Sequence, residues 1–220
     1  MSPRVGTRKI AAGHSARSTF PHEETMAPVS LVRPVAIAAT VTALAASAAT
    51  ATPTPDLRVL TINDFHGRLM PETGGVAGAA ALSGAVQAYR AENPNTLFVS
   101  AGDNISASAF ESYVNRDEPT IDALRTAGLD VSAVGNHEFD HGVDDLIQRV
   151  IPRFENDPAA DAQSDFALGA NVYVKGTQTP FLRPYTVKTV GTTRVAFIGI
   201  VTPETAGMVS PAGISTVDFG

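Results

Sequence analysis

The hydrophobic and polar positions along the chain predict strands and helices in alternation. Three short apolar runs suit buried strands: LRVLTI at 57–62, TLFVSAG at 96–102 and DVSAV at 130–134. Apolar residues at helical spacing lie between and after these runs, at 76–89, 120–127 and 143–154. Strands that alternate with helices indicate a layered α/β fold with a parallel sheet, whose strands are buried on both faces.

The second part of the chain has a different pattern, in which strand-like runs follow one another without helices. These runs are FALGANVYV at 166–174, LRPYTVKTV at 182–190 and TRVAFIGIV at 193–201. Gly191 and Thr192 separate the last two runs and suit a hairpin turn. We therefore expect antiparallel pairing after the parallel sheet.

Polar loops follow each of the three predicted parallel strands. The loops contain NDFHG, SAGDN and VGNHEFD, and each comes where an apolar run ends. Because ligands of parallel sheets bind beyond the carboxyl ends of the strands, these loops predict a single site at one edge of the sheet. Its candidate residues are Asp64, His66, Asp103, Asn136, His137 and Asp140.

Four of these residues have side chains that bind transition metals. Asp64 and His66 are two positions apart, so an extended backbone would direct both side chains to one cation. Asp103 has two carboxylate oxygens with which to bridge two cations, and Asn136 offers an amide oxygen to the second. Mixed histidine, carboxylate and amide ligands favour Zn, Mn or Fe over Ca or Mg. Each motif taken alone is also typical of an ordinary polar turn.

His137 and Asp140 are the candidate catalytic residues. His137 adjoins a predicted metal ligand and can donate a hydrogen bond or a proton to a bound substrate. Asp140 can hold the imidazole of His137 in one tautomer. The alternative for Asp140 is a cap at the start of the helix that follows. Glu138 is interpreted as a structural residue, and His141 as an exposed surface residue.

The composition and the charge narrow the chemistry. The 220 residues contain no cysteine, so any metal must be held by His, Asp, Asn or Glu. Residues 1–33 carry five Lys and Arg against two Glu, whereas residues 34–220 carry 11 basic and 20 acidic residues, a net charge of −9. Nucleic-acid backbones favour basic surfaces. We therefore expect a small-molecule partner and not a nucleic-acid polymer.

The first 56 residues have the pattern of an export signal. We interpret residues 1–25 as a non-native or unstructured extension, with translation beginning at the second methionine, and residues 26–51 as a cleaved signal peptide. Its uncharged stretch is shorter and less apolar than a membrane span. Residues 52–56 form a Pro-rich spacer. These features predict a secreted, periplasmic or cell-surface protein without a stable membrane span; an Ala-rich first helix and a long basic signal region are the alternatives.

The three loop motifs resemble the first three motifs of the calcineurin-like metallophosphoesterases, most closely those of the secreted 5'-nucleotidase branch, which includes bifunctional UDP-sugar hydrolases. GGVAGAAAL, GANV and IGIVTPET are also similar to that branch. The resemblance implies a layered α-β-β-α sandwich and a hydrolase with two divalent metal ions that releases phosphate from nucleoside 5'-monophosphates or related nucleotides. The implied ligands are Asp64 and His66 for one metal, Asp103 as the bridge and Asn136 for the other. The implied catalytic pair is His137 with Asp140.

The chain also departs from that family. The family completes its metal sites with later histidines, including a Gly-His-x-His or Gly-His-x-Gln motif, and it has a second sheet and a C-terminal substrate-binding domain. This sequence has no histidine after His141. Residues 57–220 are therefore expected to be an incomplete N-terminal part of a metallophosphoesterase domain, inactive by itself and with apolar surface exposed on one sheet face. The alternative is a non-catalytic secreted binding or vestigial module.

Overall fold

The computed structural model describes residues 57–75 and 77–220. The predicted extension at 1–25, the signal peptide at 26–51 and the spacer at 52–56 lie outside the described residues. Within the described ranges, no helix has both the length and the apolar character of a membrane-spanning segment.

A parallel sheet with helical connections forms the first part of the fold. Its strands are β1 (Arg58–Ile62), β2 (Thr96–Ser100) and β3 (Val131–Ser132), in the order β1-β2-β3. The connecting helices are α1 (Gly78–Glu92), α2 (Phe110–Tyr113) and α3 (Glu118–Ala127). Helix α3 has Pro119 in its first turn and is capped at its C-terminus by Gly128, which has φ 86°. The predicted α/β fold class is confirmed, whereas the short helix α2 was not predicted.

The predicted helix at 143–154 is present, but it is not uniform. A 3₁₀ turn at His137–Phe139 precedes α4 (Val143–Asp145), a π-helical turn at Leu146–Val150 and α5 (Ile151–Glu155). The π turn ends just before the first turn of α5, which contains Pro152, and the missing N–H of this proline removes one bond of a regular α-helix.

Two antiparallel pairs follow the parallel sheet. Strands β5 (Tyr185–Val190) and β6 (Thr193–Ile198) form the predicted hairpin. Strand β4 (Val172–Val174) is shorter than its predicted run, because Leu168 in that run makes only one parallel bridge, to Ala133. Two further elements were not predicted: α6 (Thr205–Met208) and β7 (Val217–Phe219), which pairs with β4.

The hydrophobic core lies largely between the parallel sheet and the helices. Its largest fully buried side chains include Phe98, Ile121, Leu124, Phe139, Leu146 and Ile151. Strand β2 is buried at four of its five positions. The packing of β2 and of the helices fixes the strand ends from which the polar loops leave.

Strand β1 differs from β2, because its residues alternate between partly buried and exposed positions. Leu60 and Ile62 pack against the core, whereas Val59 is 40% exposed. The prediction that the parallel strands are buried on both faces is therefore wrong for β1, because Val59 and Thr61 on one of its faces are exposed.

The uncovered side of the sheet bears apolar surface. Thr61 lines a shallow cavity of about 250 Å³ together with Ile198 and Ile200 of the hairpin region, and these two isoleucines are 67% and 68% exposed. We call the surface formed by Val59, Thr61, Ile198 and Ile200 the open face. It agrees with the expected exposure of apolar residues on one sheet face.

Candidate metal centre

The loops after β1 and β2 are joined by backbone hydrogen bonds beyond the ends of the strands. Asp64 N–H donates to Gly102 O at 3.2 Å, and His66 N–H donates to Asp103 O at 3.2 Å. The extended backbone expected here is absent, because Asp64 and His66 have φ 51° and φ 44°. These left-handed conformations, which are uncommon for residues other than glycine, curl the loop and keep both side chains beside Asp103.

Three of the predicted ligands converge in this region. Donor atoms of Asp64, His66 and Asp103 all lie within 4.8 Å of one another, and His66 Nε2 is 3.8 Å from Asp64 Oδ1. Two ligand atoms that each lie about 2.1 Å from one ion are separated by at most about 4.2 Å. His66 Nε2 and Asp64 Oδ1 can therefore contact one transition-metal ion without moving. A sub-ångström movement of the side chains brings an oxygen of Asp103 close enough to contact the same ion.

Two glycines allow the loops after β2 and β3 to touch. A Cβ atom at Gly102 would clash with the backbone N of Gly135, and a Cβ atom at Gly135 would clash with Oδ1 of Asp103. In this close contact, His137 N–H donates to Asp103 Oδ1 at 2.8 Å. Asn136 lies in the same segment, directly before His137, and the use of its side-chain amide as a ligand stays a prediction.

His137 lies against the cluster of predicted ligands. Its ring packs edge-on to the ring of His66, with centroids 4.9 Å apart, and its Nδ1 is 2.8 Å from Oδ2 of Asp140. Partial burial acts to lower the pKa of His137, but the hydrogen bond and the negative charge of Asp140, with smaller contributions from Asp103 and Glu138, raise the pKa above its usual value. No side chain caps α4, so Asp140 does not serve as its cap.

Glu138 fastens the loops after β2 and β3 together. The residue is 6% exposed, and its carboxylate accepts hydrogen bonds from the backbone N–H groups of Asp103, Asn104 and Gly135 at 2.9, 2.8 and 2.6 Å. Burial raises the pKa of this carboxyl group, although these hydrogen bonds oppose the change. The contacts agree with the interpretation of Glu138 as structural, but no pattern in the sequence indicated its three partners.

Asn104 ties the ends of β2 and β3 beneath the loops. Its side chain is buried, accepts a hydrogen bond from Ser100 Oγ at 2.6 Å and donates to Ser132 Oγ at 2.9 Å. His141 is exposed, as predicted. The loop backbone also brings Ser106 to His66, a residue that the sequence pattern did not single out, with 2.8 Å between Ser106 O and His66 Nδ1.

Comparisons with known proteins identify relatives of this arrangement. The family model described as calcineurin-like phosphoesterase matches residues 57–192. Endonuclease YhcR of Bacillus subtilis is 38% identical over 177 residues, covering 74% of this chain and 14% of that protein. The 5'-nucleotidase of Vibrio parahaemolyticus is 33% identical over 171 residues, covering 74% of this chain and 28% of that protein.

A solved structure shows the same fold. The 5'-nucleotidase precursor from Thermus thermophilus matches with a TM-score of 0.56 and 27% identity, covering 74% of this chain and 32% of its own. The chain thus spans less than a third of the length of each of these three proteins. The range matched by the family model contains every residue of the site described above.

Proposed function

This chain belongs to the calcineurin-like phosphoesterase family, and on that premise we propose that it carries part of a two-metal site that releases phosphate from nucleoside 5'-monophosphates or related nucleotides. The observation that carries the proposal is the convergence of Asp64, His66 and Asp103 beside the paired His137 and Asp140. An ordinary polar turn does not bring together three metal-binding side chains from the ends of two different strands.

The donor set supports a specific division of ligands. Asp64 and His66 would hold one divalent cation, Asp103 would contact both cations, and Asn136 would hold the second. Imidazole and carboxylate donors suit Zn, Mn or Fe. When bound by these residues, two such cations would supply charge to hold a phosphoryl group and to activate a water as the nucleophile. Asp103 could serve both because a carboxylate has two oxygens, and the N–H of His137, which donates to Oδ1, orients that carboxylate within the site.

His137 would act on the substrate and not on the metal. Its Nδ1 is occupied by Asp140, so Nε2 is the nitrogen available to donate a hydrogen bond to a phosphoryl oxygen or a proton to the leaving group. The raised pKa of His137 increases the protonated fraction of the imidazole and therefore suits a donor. Asp140 would orient the ring and stabilise its charge.

Two of the three relatives reported above have names that favour a mononucleotide substrate. The proteins from V. parahaemolyticus and T. thermophilus are named 5'-nucleotidases, whereas that from B. subtilis is named an endonuclease. The net charge of −9 beyond residue 33 opposes binding of a long polyanion and supports the smaller substrate. The leader-like residues 26–51 support action outside the cytoplasm.

The decisive experiment compares hydrolysis by this chain with hydrolysis by a longer product of its gene, if the gene encodes one. We expect the 220-residue chain to bind Mn²⁺ or Zn²⁺ but to release phosphate from adenosine 5'-monophosphate only near background, because the four proposed ligands would fill only part of the ligand shells of two cations. A longer product that hydrolyses nucleotides should act on the mononucleotide much faster than on an oligonucleotide, and His137→Ala should lower its kcat by ~10²–10⁴-fold.

Two results would contradict the proposal. A longer product that binds metal but hydrolyses neither substrate would favour a non-catalytic secreted module. Faster cleavage of the oligonucleotide than of the mononucleotide would replace nucleotidase by nuclease activity at the same site.

A further inference from the structure

Ser106, in the loop between β2 and α2, carries two unfavourable features. It has φ 60° and is followed by Ala107 with φ 42°, so two consecutive residues other than glycine are left-handed. Its hydroxyl is buried, with the residue 3% exposed, and Ser106 Oγ has no hydrogen-bond partner within the part of the chain that the structure describes. A residue retained in such a conformation needs a compensating contact.

The compensating contact is made by the backbone carbonyl. Ser106 O lies 2.8 Å from His66 Nδ1 and also accepts a hydrogen bond from Ser108 Oγ at 3.2 Å. A carbonyl oxygen can only accept, so Nδ1 must carry the hydrogen. In the neutral ring the lone pair then lies on Nε2, the nitrogen that is 3.8 Å from the Asp64 carboxylate.

The surrounding contacts hold this carbonyl in place from both sides. Ser106 N–H donates to Asp117 Oδ2 at 3.0 Å, and the same carboxylate accepts Ser112 Oγ at 2.7 Å. On the other side, Ala109 N–H donates to His66 O at 3.1 Å. Gly67 makes the approach possible, since a Cβ atom there would lie 2.5 Å from Ser112 Cβ.

We propose that Ser106 is a positioning residue, whose left-handed backbone aims its carbonyl at His66 and so fixes the tautomer that presents Nε2 to a cation. The inference rests on the proposed metal site and extends it to a residue that contributes no ligand. Backbone partners of metal-binding histidines commonly set the tautomer and the basicity of the ring.

The exposed neighbour Ala107 provides a matched pair of variants. Ala107→Gly adopts φ 42° without strain, whereas Ala107→Pro fixes φ near −65° and also drives Ser106 from its conformation. Neither change touches a ligand. In the metal-free full chain at about pH 8, where an ordinary imidazole is neutral, ¹⁵N NMR should show His66 protonated at Nδ1 in the parent and in Ala107→Gly. The His66→Gln variant assigns the signal.

The proline variant should lose this preference. We expect a mixture of His66 tautomers and a ~10–100-fold weaker affinity for Mn²⁺ by titration calorimetry, with Ala107→Gly close to the parent. Retention of both the tautomer and the affinity in Ala107→Pro would overturn the role of Ser106. If that variant does not fold, the ¹⁵N NMR spectrum of the parent chain provides the test, because a hydrogen on Nε2 of His66 in the parent overturns the inference by itself.

The two proposals fail in different ways. A parent chain with the hydrogen on Nδ1 that binds no Mn²⁺ would contradict the metal site. A parent chain that binds Mn²⁺ with the hydrogen on Nε2 in its metal-free form would contradict the positioning role alone.

Discussion

The loops at the carboxyl edge of the sheet and the open face on its uncovered side are held in very different ways. At the carboxyl edge, the loops that contain Asp103 and Gly135 share a buried carboxylate, that of Glu138, and backbone hydrogen bonds. On the open face, Ile198 and Ile200 are mostly exposed. The polar edge is thus fixed by directional contacts, and the apolar face is not fixed by packing.

This difference indicates where substitutions will matter. Hydrogen bonds and close glycine contacts impose one geometry on the edge, because each buried donor needs its partner. Exposed apolar side chains contribute little to the free energy of unfolding, because most of their surface stays in water. A substitution at the edge should therefore change both stability and metal binding, and one on the open face should change neither greatly.

The largest effect is expected from Glu138→Ala. The change leaves three backbone N–H groups without their acceptor, each worth about 1–3 kcal/mol when buried and unsatisfied. The free energy of unfolding in urea should fall by about 3 kcal/mol or more, and Mn²⁺ binding should be lost. Glu111→Ala, at an exposed position, is the control and should stay within about 0.5 kcal/mol of the parent. A loss below about 1 kcal/mol for Glu138→Ala would show that the carboxylate does not fasten the loops.

Gly135→Ala tests the glycine contact. The added methyl group would overlap Oδ1 of Asp103, and overpacking of this kind costs about 1–3 kcal/mol. Mn²⁺ affinity should fall at least ~10-fold, because the bridging carboxylate must move. Gly84→Ala is the matched control in α1, where a Cβ atom meets nothing within 4 Å, and it should stabilise by about 0.5–1 kcal/mol. Equal changes in stability and in Mn²⁺ affinity for Gly135→Ala and Gly84→Ala would show that the contact at Gly135 does not determine the geometry of the site.

A paired comparison of valines on one face of the sheet distinguishes a covered position from an exposed one. Val131→Thr buries a hydroxyl at a position 2% exposed and should lower the free energy of unfolding by about 1–3 kcal/mol. Val59→Thr makes the same change on the open face, at a position 40% exposed, and should cost less than about 0.5 kcal/mol. Similar losses from both, measured by urea unfolding, would mean that the open face is covered in solution.

The smallest effect is expected from Asp140→Asn, which keeps the shape of the pair with His137 but removes its charge. The pKa of His137 in the metal-free chain should fall, as measured by NMR titration. Because a raised histidine pKa stabilises the fold at low pH, the parent should exceed the variant in stability near pH 5. That advantage should vanish as the pH rises through the pKa of His137. An unchanged pKa would show that the hydrogen bond is absent in solution.

Much of the fold could be predicted because it depends on local patterns. The apolar runs at 57–62 and 96–102 form β1 and β2, and the polar loops after them meet at one edge. The candidates Asp64, His66 and Asp103 were found because each follows such a run. Parallel pairing then brings them together without any further information.

The remaining features depend on tertiary contacts that leave no local pattern. The left-handed φ of His66, the three donors of Glu138 and the carbonyl of Ser106 all result from loops meeting in space. Strand β7 pairs with the distant β4, and its three residues are too few to show a period. The exposure of Val59 depends on which faces of the sheet are covered, which an apolar run does not specify.

The central claim is that Asp64, His66 and Asp103 together hold a divalent cation. Crystals of the full chain soaked in Mn²⁺, with anomalous diffraction recorded for manganese, test it directly. We predict an anomalous peak about 2.0–2.3 Å from His66 Nε2 and from an oxygen of each carboxylate, with the peak lost in His66→Gln. Saturating Mn²⁺ that gives no peak between these three side chains would contradict it.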